Sequence, residues 1–181
     1  MIEMQEKSAA SGSKQAATPI KVRKIGHVVY RVSDVERSVT FWTEVMGFKE
    51  SDRNEQGMVF LRNASDHHTI ALVAAEPGAV LGNPNDKSAL GLHHFAMEVG
   101  SVDELFGIRE FLKSKGVKIT YEGRRGPGSN PGVEFLDPDG YQMELYAEME
   151  QIGWDGKSRP SKFWSRATSL EEVVANPVPT E

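Results

Sequence analysis

The chain has 181 residues and a net charge of −5. This length suits one domain, or two small modules that share a core, and the negative charge argues against nucleic acid or an anionic membrane as a partner. The chain contains no cysteine, which excludes disulfides and thiolate metal ligands, and no apolar run approaches the roughly 20 residues of a membrane span. We therefore expect a soluble cytoplasmic protein.

The first third of the chain predicts a tail followed by a βαβββ module. Residues 1–20 are rich in Ser, Ala, Gln and Lys without apolar periodicity, which is typical of a flexible tail. Within the first module, residues 21–76, alternating residues predict strands at 24–32, 48–53, 57–62 and 67–74. Ser33 and Glu36 have the spacing of a capping box, so we expect a helix that begins at Ser33 and ends near Gly47.

The same order of elements returns in the second half of the chain. Residues 77–90 are rich in Pro, Gly and Asn and are predicted to be a linker. The second module, residues 91–147, shows a strand at 92–99, a helix opened by Ser101 and Glu104, and strands at 117–122, 132–136 and 141–147. Residues 148–181 follow as a C-terminal extension. The fold class is therefore α+β: two βαβββ modules in one domain, residues 21–147, forming an open cup-shaped mixed sheet.

Each module begins with a strand that has a histidine near its start. Residues 25–32 read IGHVVYRV and residues 92–99 read LHHFAMEV, so His27 and His94 hold equivalent positions. Alternation along the strands gives each histidine a half-polar face, and Glu144 lies on the half-polar face of the last strand. Two imidazoles and one carboxylate form a metal triad that leaves coordination positions open for substrate and dioxygen. These ligands suit Fe(II), Mn(II), Zn(II), Ni(II) or Co(II).

Three segments carry a resemblance to a known family: residues 26–32, 92–99 and 137–146, the last reading DPDGYQMELY. On these motifs the chain resembles the vicinal-oxygen-chelate superfamily, which includes glyoxalase I, extradiol dioxygenases and bleomycin-resistance proteins. The resemblance covers roughly residues 22–146 and is closest to the extradiol catechol-type dioxygenases. It implies Fe(II) held by His27, His94 and Glu144, a catechol-like vicinal diol as substrate, and dioxygen as co-substrate.

The resemblance also separates subfamilies and implies an acid–base group. Superfamily members with four protein ligands have a further ligand near the end of the first module, and aligning residues 70–72 with 143–145 puts Ala71 there. Alanine cannot bind a metal, which favours the three-ligand dioxygenase pattern. The dioxygenases carry an acid–base histidine just before the second module, and His68 is the preferred candidate. Strand alternation favours its neighbour His67 instead, so both stay open.

The chain departs from the ring-cleaving enzymes at two positions. Arg125 and Glu134 stand where many of these enzymes have a histidine and a tyrosine, and Arg125 is a candidate for binding a substrate carboxylate or catecholate. Tyr146 shares the face of Glu144 and is a second candidate for substrate binding. The alternatives are a glyoxalase-like metal-dependent lyase or epimerase, and a small-molecule-binding resistance-type protein. A homo-oligomer is expected because modules of this type pair across subunits.

Overall fold

The computed structural model describes residues 20, 22–83, 85–86, 88, 90–152 and 156–178. All of the predicted tail except residue 20 lies outside the described residues. The described strands and helices, in chain order, are β1 (Val28–Val32), α1 (Val35–Thr40, continued by a wider turn over Phe41–Val45), β2 (Lys49–Arg53), β3 (Val59–Arg62), β4 (Ile70–Ala74), β5 (Phe95–Glu98), α2 (Val102–Ser114), β6 (Ile119–Arg124), β7 (Pro131–Leu136), β8 (Gln142–Tyr146) and α3 (Leu170–Ala175). None of the described helices is long and apolar enough to cross a membrane.

The strands form two four-stranded mixed sheets that are not closed into a barrel. The first sheet has the order β1-β4-β3-β2 and the second has the order β5-β8-β7-β6. In each sheet the first and last strands of the module pair in parallel, and the other pairs are antiparallel. A parallel pair needs a long crossover connection, which the helix and the two intervening strands of each module provide. The predicted α+β class and the repeated βαβββ order are confirmed.

The helix of the second module begins as the sequence predicts. The Ser101 hydroxyl accepts the backbone N–H of Glu104 at 3.2 Å, and the Glu104 carboxylate accepts the backbone N–H of Gly100 at 2.9 Å. These two bonds satisfy N–H groups that have no partner within the helix. They fix where the chain turns from β5 into α2.

The helix of the first module begins differently, and the predicted cap at Ser33 is wrong. Asp34 is the cap, and its carboxylate accepts the backbone N–H of Arg37 at 3.0 Å. Ser33 is occupied elsewhere because its backbone N–H donates to Asp139 of the second module at 3.0 Å. Glu36, the expected second member of the box, pairs with Arg53 instead. A contact between modules therefore overrides the local capping pattern.

A cluster of aromatic side chains, packed around a few buried hydrogen bonds, joins the two modules. The Tyr30 ring lies 5.8 Å from Phe95 and 4.8 Å from Tyr141, and the rings of Trp42 and Phe95 stack at 6.2 Å. The Trp42 indole N–H donates to the Tyr30 hydroxyl at 2.6 Å, and this hydroxyl donates to the Asp137 carboxylate at 3.3 Å. Burial raises the pKa of Tyr30 and of Asp137. The junction is thus apolar around a short, directional chain of hydrogen bonds.

The chain beyond the second module packs on the outer edge of the second sheet. Arg124 in β6 forms a backbone bridge with Ala167. Leu170 and Val173 of α3 are buried. The Arg124 guanidinium donates to the backbone carbonyls of Val173 and Asn176, at 3.2 and 3.0 Å. These carbonyls at the end of α3 have no partner within the helix, so the arginine ties the helix end to the sheet.

We expect Tyr30→Phe to destabilise the junction between the modules. The variant leaves the buried Trp42 N–H without its acceptor and removes the hydroxyl that donates to Asp137 Oδ2, which predicts a loss of about 1–3 kcal/mol in the free energy of unfolding. Tyr141→Phe is the matched control. Its hydroxyl donates to the Arg31 carbonyl at an exposed position, and we expect a loss of at most about 1 kcal/mol. Urea unfolding of both variants checks this, and equal losses would contradict the assigned role of the buried network.

Candidate functional site

The parallel pairing of β5 with β8 brings a histidine and a carboxylate together. Glu144 in β8 lies opposite Ala96 in β5, two residues after His94. Residues two apart on a strand share a face, so the side chains of His94 and Glu144 converge. The His94 Nε2 lies 3.4 Å from the Glu144 Oε2, and the Glu144 side chain is only 17% exposed. These two donors, one nitrogen and one oxygen, suit a divalent metal.

Two residues that the sequence did not single out shape the surroundings of Glu144. The Asn130 side-chain amide donates to Glu144 Oε1 at 3.3 Å. A Cβ atom at Gly132 would lie 2.7 Å from the same oxygen, so only glycine leaves the carboxylate its place. Glycine inside a strand marks a site of close approach, and this signal could have been read from the sequence. Burial raises the pKa of Glu144, and the neighbouring His94 opposes this rise.

The first module places its histidines together. His27 lies directly before β1, and its ring centre is 4.6 Å from that of His68. His68 also contacts Phe60, with 5.0 Å between the ring centres. His67 turns toward Asp52, with His67 Nε2 3.7 Å from the carboxylate. Of the two candidate acid–base residues, His68 is therefore the one that contacts the predicted ligand His27.

The position of Ala71 follows the predicted register. In the first module Ala71 of β4 lies opposite Val29, two residues after His27. In the second module Glu144 occupies the corresponding place, opposite the residue two after His94. Ala71 and Glu144 are thus equivalent, and Ala71 is fully buried. The first module offers no metal ligand at this position.

The structure brings two of the three predicted ligands together. His94 and Glu144 converge, whereas His27 contacts His68. Within the described ranges no three His, Asp or Glu side chains are close enough to hold one metal ion. The chemistry of the donors and the space left by Gly132 fit a divalent cation at the His94–Glu144 pair. The full triad with His27 stays a prediction.

Arg125 and Glu134 form an ion pair beside Glu144. The Arg125 Nε–H donates to Glu134 Oε1 at 2.5 Å, and the guanidinium carbon lies 3.8 Å from the centre of the Tyr121 ring. Glu134 of β7 is directly opposite Glu144 of β8, so both carboxylates lie on one face. The second Glu134 oxygen accepts the Gln142 amide at 2.9 Å. The polar face around Glu144 is therefore built as a network rather than from isolated charges.

Tyr146 lies on the same face, two residues beyond Glu144. It pairs with Glu98 in the parallel ladder. Its pKa is raised, first by burial and then by the negative charges of Glu98 and Glu144. The phenol therefore keeps its proton at neutral pH and can donate a hydrogen bond to a bound molecule.

Sequence comparison links the chain to enzymes of two reaction types. Residues 24–145 match the Glyoxalase/Bleomycin resistance protein/Dioxygenase superfamily. The chain is 31% identical over 151 residues to metapyrocatechase 2 of Cupriavidus necator, which covers 82% of this chain and 43% of the relative. It is 27% identical over 134 residues to the manganese-dependent 2,3-dihydroxybiphenyl 1,2-dioxygenase of Geobacillus genomosp. 3, covering 72% of this chain and 38% of the relative. It is 30% identical over 132 residues to the probable lactoylglutathione lyase of Vibrio parahaemolyticus, and the match covers 67% of this chain and 88% of the relative.

Solved structures show the same fold at lower identity. The glyoxylase/bleomycin resistance protein/dioxygenase domain from Frankia sp. EAN1pec superposes with a TM-score of 0.56 at 22% identity, covering 70% of this chain and 98% of that chain. The lactoylglutathione lyase from Agrobacterium tumefaciens superposes with a TM-score of 0.54 at 16% identity, and the match covers 70% of this chain and 94% of that chain. The chain spans less than half the length of the two dioxygenases above. With its repeated modules and matched motifs, the chain belongs to the glyoxalase/bleomycin resistance/dioxygenase superfamily, the vicinal-oxygen-chelate proteins.

Proposed function

We propose that the chain is an extradiol-type ring-cleaving dioxygenase domain that acts on a catechol-like vicinal diol. The observation that carries the proposal is the convergence of His94 and Glu144 on a face where the first module has Ala71 instead of a further ligand. A small ligand set leaves positions open for substrate and dioxygen. Relatives named as dioxygenases support this reading. Fe(II) is the proposed metal, and Mn(II), Zn(II), Ni(II) or Co(II) suit the same donors.

The residues of this chain take separate roles in the proposed reaction. When bound, the metal supplies a Lewis acid that lowers the pKa of the diol and, if redox-active, one-electron chemistry with dioxygen. His94 and Glu144, with His27 as the predicted third ligand, hold it, and Asn130 fixes the Glu144 carboxylate. Tyr146 donates a hydrogen bond to the substrate.

His68 is proposed to take the proton of a diol hydroxyl and return it later. Its Nδ1 lies 3.0 Å from Nδ1 of His67, so Nε2 is the nitrogen left for substrate. The pKa of His68 is lowered, first by burial and then by the neighbouring His27 and His67. A neutral imidazole at physiological pH is the form that accepts a proton.

A glyoxalase-like lyase or epimerase is the second candidate, and Glu134 favours it. This carboxylate lies opposite Glu144 and could move a proton at a carbon atom next to a carbonyl group that is polarised by Zn(II), Ni(II) or Co(II). The chain also covers most of a relative named as a lyase. Both Glu134 oxygens, however, accept hydrogen bonds from Arg125 and Gln142, which leaves a weaker base. The dioxygenase therefore remains the first proposal.

The proposal includes assembly into a homo-oligomer in the cytoplasm. Val29, on the His27 face of β1, is about half exposed. Leu90 and Leu92, which shortly precede β5 in the chain, are also exposed. Exposed apolar side chains of this size support contact with another protein surface. A second copy of this chain is the proposed partner.

Ring cleavage is tested with protein reconstituted anaerobically with Fe(II) and then given oxygen and a panel of catechols. We expect oxygen uptake and a yellow ring-opened product, both abolished in Glu144→Ala and His94→Ala. Asp103→Asn, on the exposed surface of α2, is the control and keeps full activity. No uptake across the panel would overturn the proposal. Isomerisation of a glutathione hemithioacetal by the Zn(II)- or Ni(II)-loaded protein would establish the lyase instead.

The acid–base role separates His68 from its neighbour. We expect His68→Ala to lower kcat about 10²- to 10⁴-fold, and His67→Ala to change it less than about tenfold. Because the pKa of His68 is lowered from its ordinary 6.5, the acid limb of the kcat/KM profile falls below that pH in the wild type and disappears in His68→Ala. A larger loss in His67→Ala would reassign the role to His67.

Metal binding is tested at the glycine that makes room for Glu144. We expect Gly132→Ala to weaken the affinity for Fe(II) or Mn(II) by about 10- to 100-fold, as is usual when the support of a ligand is disturbed, because the new Cβ displaces the carboxylate. Gly107→Ala is the matched control, since a Cβ there meets no atom within 4 Å. Competition titration with a chelating dye measures the affinity. Unchanged binding in Gly132→Ala would contradict the inference that Gly132 makes room for the metal-binding carboxylate.

A further inference from the structure

We propose that Arg125 selects substrates that carry a carboxylate on the ring, so that the substrate is an acidic catechol. The inference rests on the proposed function, in which the diol lies beside His94 and Glu144. It depends on how the Arg125 guanidinium is held and on which of its N–H groups remain to bind a ligand.

The guanidinium is fixed on one edge and one face. Its Nε–H donates to Glu134, and its guanidinium carbon lies over the Tyr121 ring, 3.8 Å from the ring centre. An arginine held in this way has lost most of its side-chain freedom before any ligand arrives. A fixed donor binds an anion more tightly than a mobile one, because less entropy is lost on binding.

Glu134, the residue that holds Arg125, is itself fixed in place. Glu134 is only 8% exposed, and its second oxygen accepts the Gln142 amide at 2.9 Å. The same Gln142 nitrogen donates to the Thr120 hydroxyl at 2.7 Å. Glu134 therefore cannot turn away from Arg125 without leaving a buried carboxylate unsatisfied, which is costly.

The two terminal nitrogens of Arg125 remain available. They have no hydrogen-bond partner in the part of the chain that the structure describes, and the side chain is 61% exposed. The terminal NH₂ groups of a guanidinium form a planar fork that matches a carboxylate.

Stability alone does not explain this arrangement. An ion pair with an exposed arginine contributes only about 0–1 kcal/mol, and burying the Glu134 carboxylate opposite Glu144 opposes folding. The Arg125–Glu134 pair is explained if its role is to hold the two terminal NH₂ groups of the guanidinium at the edge of the substrate site. A ring whose diol oxygens lie beside Glu144 would present a carboxylate to the Arg125 guanidinium, which is bound to Glu134 on the strand next to β8.

The test compares two ligands that differ in one substituent. Calorimetry with the Zn(II)-loaded protein under nitrogen measures Kd for 3,4-dihydroxybenzoate and for 4-methylcatechol. We expect the wild type to prefer the acid by about 10- to 100-fold, the usual value of hydrogen bonds to a charged group. Arg125→Gln should abolish the preference while keeping affinity for 4-methylcatechol, and Arg125→Lys should restore only part of it.

Arg31→Gln is the matched control, an exposed arginine on the His27 face of β1. We expect it to keep the preference. Equal binding of the two ligands by the wild type, a preference that survives Arg125→Gln, or one lost in Arg31→Gln would each overturn the proposal, as would binding of neither diol. Because no turnover is needed, a preference that persists where the oxygen assay fails would reject the proposed reaction and leave the carboxylate site standing.

Discussion

The parallel pairing of the first strand with the last strand of each module is the constraint on which the site depends. A parallel pair joins segments that are far apart in the chain, so residues from the two ends of a module meet side by side. In the second module this pairing sets Glu144 opposite Ala96 and beside His94. A register shift of one residue would turn Glu144 to the apolar face. Gly132 and Asn130 then fix the carboxylate within the register that the ladder imposes.

The repeated module gives two similar halves that carry different chemistry. The first half keeps the histidine but has the buried Ala71 where the second has Glu144. It adds His68 in contact with His27. One half thus offers the proposed metal-binding pair, and the other offers a predicted ligand next to the proposed acid–base histidine. The buried hydrogen bonds that centre on Tyr30 make this junction directional, since an apolar contact alone would specify the orientation of the halves less well.

Two carboxylates side by side on one face need separate partners. Glu134 and Glu144 are directly opposite in neighbouring strands, where like charges repel. Arg125 neutralises the first, and a cation bound by Glu144 and His94 would neutralise the second. The side chains on the face of the sheet that carries Glu134 and Glu144, rather than the fold, decide which reaction the site can support.

The sequence by itself determined the repeated βαβββ order, the faces of the strands and the equivalence of Ala71 with Glu144. These features follow from the local periodicity and from the repeat, and both can be read directly from the order of residues in this chain. Tertiary structure alone decided that Ser33 contacts Asp139 instead of capping its helix, that His68 and not His67 meets His27, and that Arg125 is clamped by Glu134. Each of these is a choice between partners distant in the chain. Such choices depend on how strands and loops pack, and no local pattern of residues encodes them.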